Sequence, residues 1–137
     1  MFAGEVDLKT WYKPNIDKKI LKKLSKRSDF KGIVDISIFI IMLLISGYLC
    51  IFTWGTLWSI PALLLYGNIF YCKIISIQHE TNHETYFKTR GLNKFFYHIT
   101  SLLGGFEAVR WKWSHFHHHT YTIFTHEEVY DYENNSP

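Results

Sequence analysis

Lysine and arginine are missing from residues 32–72, where the only ionisable side chains are Asp35, the tyrosines and the two cysteines, although the whole chain carries fifteen basic residues. A stretch of that length without a cation is not an ordinary solvated surface and reads as lipid-facing. The 47% hydrophobic content is therefore concentrated there rather than dispersed. Cysteine is scarce as well. Cys50 falls near the turn between two apolar segments and Cys72 near the far end of the second, roughly 18 Å apart along a helix axis, which excludes a disulfide between them without large backbone movement. Both are expected to serve as small buried apolar side chains rather than in redox chemistry. No signal-peptide pattern opens the sequence, because the first thirty residues are polar, lysine-rich and lack an apolar core with a small-residue cleavage site. The chain is thus expected to begin in the cytoplasm. No internal repeat is visible.

What is present divides the chain at about residue 31. Residues 1–31 hold Trp11, Tyr12 and Pro14 and then Lys18, Lys19, Lys22, Lys23, Lys26, Arg27 and Lys31, with Ile20, Leu21 and Leu24 between them. A polybasic run of this kind suits nucleic acid in other settings, but its place directly before an apolar segment makes the positive-inside rule the simpler account. No nucleic-acid partner is expected. Residues 33–53 (IVDISIFIIMLLISGYLCIFT) supply about the twenty residues that cross a hydrocarbon core as a helix. Asp35 lies at the basic end, where its carboxylate reaches the interface. Trp54, Gly55, Thr56 and Trp58 form a tight turn with two interfacial aromatics. Residues 57–77 (LWSIPALLLYGNIFYCKIISI) return, with Pro61 in the first turn, where a missing N–H costs least, and Lys73 placed to snorkel to the basic side.

The expected fold is all-α and integral to the membrane: a transmembrane hairpin followed by cytoplasmic or interfacial helices. Hairpin parity returns the chain to the side that holds the N-terminus, and Lys88, Arg90, Lys94, Arg110 and Lys112 then lie on that same cytoplasmic side. Residues 93–105 (NKFFYHITSLLGG) are too short to span and fit an interfacial or re-entrant helix that Gly104 and Gly105 end. Beyond Thr125 the sequence turns acidic and polar.

Histidine carries the chemistry. His79 and His83 in HETNH are four residues apart and share one face if the second span continues as a helix past the bilayer. In HFHHH, His115, His118 and His119 fall in one helical sector of roughly 100° while His117 points nearly the opposite way. Five clustered neutral imidazoles suit zinc, copper, iron or nickel, so ligand type alone does not name the metal. His98 and His126 belong to neither group and are assigned to packing or surface. The first window also reads H-E-x-x-H, in which two histidines hold zinc and Glu80 activates water. A zinc membrane protease built on it needs just one third ligand, a carboxylate or a histidine, and leaves the second cluster unexplained.

The two windows with their surroundings, QHETNHETYFKTRGLN and RWKWSHFHHHTYT, resemble the membrane-bound fatty acid desaturases, whose histidine boxes H-x(3,4)-H, H-x-x-H-H and a later H/Q-x-x-H-H hold a di-iron centre. The resemblance runs over residues 78–122, and Phe87-Lys88-Thr89-Arg90, Leu92-Asn93 and Arg110-Trp111 before Ser114-His115 look like a bacterial desaturase-like branch. It implies that His79 and His83 form the first box and His115, His118 and His119 the second, with His117 at a variable position. It implies iron as the metal, with O₂, an acyl-chain substrate in the lipid bilayer and an electron donor such as ferredoxin or cytochrome b5 as partners. Carboxylates commonly orient metal-bound imidazoles, which makes Glu80, Glu84 and Glu107 candidates for that role. The third box of the family is not in the sequence. Residues 32–137 are accordingly expected to be the N-terminal part of a desaturase domain, inactive alone. A lipid hydroxylase of the same fold, the H-E-x-x-H protease and a non-catalytic metal-binding membrane fragment stand as the alternatives.

Overall fold

The computed structural model describes residues 15–121 together with 125–126 and 129–130. Trp11, Tyr12 and Pro14, most of the acidic tail and the side chain of His126 lie outside that description. Five helices follow one another: α1 (Lys18–Leu24), α2 (Asp29–Phe52), α3 (Ser59–Asn82), α4 (Arg90–Gly104) and α5 (Ala108–Tyr121). Among the described residues the exception to helix as the regular structure is one antiparallel pair of two-residue strands, β1 (Thr125–His126) with β2 (Val129–Tyr130).

Helices α2 and α3 form a hairpin, and both are long and apolar enough to cross a membrane. Ser28 caps α2 by accepting from the Lys31 N–H at 3.4 Å, and Asp29 in the first turn complements the helix dipole. Hydroxyls inside the helix are turned back on its own carbonyls, Ser37 to Ile33 at 2.9 Å and Ser46 to Met42 at 2.8 Å. Those two hydroxyls are thereby satisfied within the helix, an arrangement compatible with apolar surroundings. Only 17% of the most apolar window of α2 and 11% of that of α3 is buried inside the protein, so the hairpin's apolar residues face outward rather than into a core. Gly55, with φ of 80°, supplies the left-handed turn residue between the helices, flanked by exposed Trp54 and Trp58. Cys50 and Cys72 are free, and Cys72 is exposed on the hairpin rather than buried as expected. Its helical position, not its polarity, sets that.

The small interior lies where the hairpin meets α4. Phe39, Ile74 and Ile77 form it, with Ile36, Leu43, Ile69, Phe70, Tyr86 and Phe96 packed around them. Beside it Lys73 does not reach outward: its Nζ donates to both carboxylate oxygens of Asp35, at 2.8 and 2.7 Å. The same carboxylate accepts a short hydrogen bond from the Tyr86 hydroxyl. Burial and that bond push the Tyr86 phenol well above its ordinary value, which keeps it a neutral donor.

The connection from α3 to α4 is pinned at both ends. Asp29 accepts from the Thr89 N–H and hydroxyl, each at 2.8 Å. Asn93 on α4 pairs with Phe87 in both directions, accepting its N–H at 3.0 Å and donating to its carbonyl at 2.9 Å, and also donates to the Thr89 carbonyl at 3.2 Å. Asn93→Leu strands these groups in a dry site and is expected to cost on the order of 3 kcal/mol. A denaturation midpoint in detergent measures it, and a loss below about 0.5 kcal/mol, the range of an ordinary surface change, would contradict the assignment. At the other end of α4 Gly105 takes the left-handed conformation, φ 74°, that closes the helix. Glu107 then starts α5, accepting from the Val109 and Arg110 N–H groups at 3.1 and 2.5 Å. The Tyr97 hydroxyl ties α4 to this start through the Ala108 carbonyl at 2.5 Å.

Candidate metal centre

Helix α3 carries its regular turn through the first histidine window, since His83 caps it with an N–H to the His79 carbonyl at 3.3 Å. The i, i+4 spacing therefore places both imidazoles on one side, their ring centroids 4.7 Å apart. Helix α5 brings His115 and His119 against them from the opposite side by the same spacing. One ring nitrogen from each of these four histidines lies within 4.8 Å of every other.

His115 is the centre of the group. It is 4% exposed, and its Nε2 lies 3.0 Å from Nε2 of His83 and 2.9 Å from Nε2 of His119. A neutral imidazole nitrogen either donates one proton or offers one lone pair. One Nε2 facing two others thus satisfies only one of the two contacts by hydrogen bonding. A cation satisfies all three lone pairs, and at metal–imidazole distances of about 2.0–2.1 Å neighbouring ligand nitrogens sit about 3 Å apart. The donor set fits a metal ion. Burial, followed by the facing imidazoles of His79, His115 and His119, holds His83 below the usual imidazole range, which favours the neutral form that a ligand must have.

Not every histidine of the windows enters this group. The ring of His118 lies 6.0 Å from that of His115 and 5.6 Å from that of His119, next to the four but outside them. His117 is exposed and outside as well. His98 is exposed on α4, its ring edge-on to Tyr97. Of the three candidate carboxylates, Glu80 alone is near an imidazole, with Oε1 3.5 Å from Nδ1 of His79 while Oε2 accepts from the Thr85 hydroxyl at 2.7 Å. Glu84, at φ 56°, is held by Arg90 at 2.8 Å, and this partner keeps its carboxyl below the ordinary range. Glu107 is used as the cap of α5.

Trp111 was not among the residues expected at the site. Its indole stacks on the His115 imidazole with centroids 4.5 Å apart and planes at 12°, and meets His79 edge-on at 6.4 Å. The signal was in the sequence: residues 111, 115 and 119 form an i, i+4, i+8 stripe down one face of α5. Beside the cluster opens a pocket of about 450 Å³ lined by Asn82, His83, Lys112, His115, Phe116 and His119.

The sequence model of the fatty acid desaturase family matches residues 52–136, which take in α3, both histidine windows and helix α4 between them. The chain belongs to the fatty acid desaturase family. No curated protein and no solved structure shows a significant match to it. Membership in the desaturase family associates the chain with oxidative chemistry on lipids, and the apolar hairpin associates it with a membrane.

Proposed function

We propose that the chain is the metal-binding portion of an O₂-dependent fatty acid desaturase, with iron held by His79, His83, His115 and His119 and by His118 once a second ion is bound. The observation that carries this reading is the convergence of the two histidine windows on His115, whose single Nε2 faces two others at 3.0 and 2.9 Å. A zinc protease built on H-E-x-x-H takes His79, His83 and one more ligand and keeps a position open for water, so it leaves the fourth imidazole of the group without purpose.

When bound, the iron supplies the reduction of O₂ and the oxidant that removes hydrogen from an unactivated acyl C–H bond. The overall change is the loss of two hydrogens from a –CH₂–CH₂– unit, with O₂ taken to two waters by those hydrogens, two further electrons from a donor such as ferredoxin or cytochrome b5, and two protons. The protein's own contribution is placement. Helices α3 and α5 hold the imidazoles, Trp111 fixes the plane of His115, and Glu80 lies beside Nδ1 of His79, where a carboxylate steadies a ligand's orientation. The hairpin sets the site at the bilayer's edge, on the cytoplasmic side by the distribution of lysine and arginine. Four or five imidazoles are fewer donors than a two-iron shell takes, so the chain alone is proposed to turn over no lipid.

Anaerobic loading of the purified protein with Fe(II), followed by metal analysis and Mössbauer spectroscopy, tests this. Histidine-bound ferrous iron that is lost in the His115→Ala variant is the expected result. One tightly held zinc together with peptidase activity abolished by Glu80→Gln would overturn it.

A further inference from the structure

Among the described residues, four buried side-chain atoms have no hydrogen-bond partner: both amide atoms of Gln78, Oδ1 of the half-buried Asn82 and Oγ of Ser101. A buried carbonyl oxygen without a donor is costly, and in a native protein it marks a missing water or ion. Of the three residues, only Asn82 lines the pocket that His83, His115 and His119 also line. It is the last residue of α3 and stands within the first histidine window, directly before His83. The four imidazoles offer nitrogen alone, whereas non-haem ferrous sites commonly take oxygen beside nitrogen.

We propose that Asn82 contributes an oxygen donor, its side-chain carbonyl, to the metal that the histidines hold. The proposal rests on the metal-centre reading above and deepens it. Helical geometry is consistent: on α3 Asn82 lies about 60° from His79 and about 100° from His83 around the axis, so it flanks the histidine side rather than opposing it. The donor is neutral and its amide carbonyl is a harder ligand than imidazole. It also leaves the charge of the site unchanged, in contrast to the carboxylate ligands found in di-iron helix bundles.

Cobalt(II) is the probe, added to the full chain in detergent, with affinity and visible absorption as readouts that do not depend on turnover. Asn82→Leu keeps the branched shape and removes both polar atoms. It is expected to weaken Co(II) binding at least tenfold and to shift the spectrum toward the more intense bands of lower coordination number. Asn82→Asp keeps the shape and adds a negative oxygen, so it is expected to bind Co(II) more tightly than the parent. Should the leucine variant fail to fold, the aspartate variant decides alone, and affinity no tighter than that of the parent overturns the proposal. Unchanged affinity and spectrum in a folded leucine variant overturn it too. If His115→Ala abolishes binding in the same series, the metal centre stands without Asn82. If His115→Ala also leaves Co(II) binding untouched, the metal-centre reading itself fails.

Discussion

His115→Ala is expected to abolish metal binding, a larger effect than any other single histidine substitution in the chain. The reason is its position: it is the one buried imidazole of the cluster, and its Nε2 is the common neighbour of His83 and His119. Removing it takes away that common neighbour and leaves His119 as the one α5 imidazole of the four-nitrogen group, so the loss should exceed the roughly 10–100-fold that removal of a supporting group costs a metal site. His118→Ala is the control. Its ring lies outside the four-nitrogen group, and its loss should spare the first equivalent of metal while weakening a second. Isothermal titration with Co(II) or Fe(II) separates the two variants. Equal loss in both would mean that the second window is a floppy patch of histidines rather than a built site. Trp111→Leu belongs to the same series and should lower affinity by an amount within that supporting range, because the indole face that fixes the His115 ring is gone.

The second large effect is expected at Gly32. A Cβ built there would meet Phe87 at 2.5 and 2.7 Å and the Tyr86 carbonyl oxygen at 3.2 Å. Phe87 has no room to yield. It is fully buried, stacked on Phe96 with centroids 5.1 Å apart, and its backbone is clamped by Asn93. Gly32→Ala should therefore cost about 1–3 kcal/mol by overpacking, and Gly32→Leu more. The damage reaches the site, since the displaced loop directly follows His83. A double variant, Gly32→Ala with Phe87→Leu, restores space and should recover part of the loss. Melting of the detergent-solubilised variants gives the comparison. A Gly32→Ala variant as stable as the parent would show that the loop does not pack on α2 as described.

These two sites show where sequence reasoning reached and where it stopped. The hairpin and the ends of α4 are local matters of composition and turn chemistry, so uninterrupted apolar residues and Gly104-Gly105 announce them. The histidine spacings are local too, and on a helix they already place His79 with His83 and His115 with His118 and His119. The contact between α3 and α5 is not local. It depends on the path of α4 between them, which Asn93, Gly105 and the Tyr97–Ala108 bond direct. For the same reason nothing in the local sequence sets Gly32 apart, because its partner Phe87 is far along the chain. Glu84 and Glu107 could not be separated from Glu80 by spacing, and the hydrogen bonds separate them: one carboxylate is taken by Arg90, another by the first turn of α5.

Asp35 and Lys73 make the division plain. From the sequence, an acid and a base near the same end of two apolar helices were each expected to seek the interface alone. Only the register of the hairpin brings the ammonium onto the carboxylate at 2.7 and 2.8 Å and adds Tyr86 as a third partner. Periodicity and charge, which act through neighbours along the chain, determined the helices, the apolar hairpin and the residues eligible to hold a metal. Which four imidazoles converge, what stacks on them and which polar atom beside them is left without a partner were decided by packing between distant segments, because a ligand sphere is a property of space that no single stretch of chain contains.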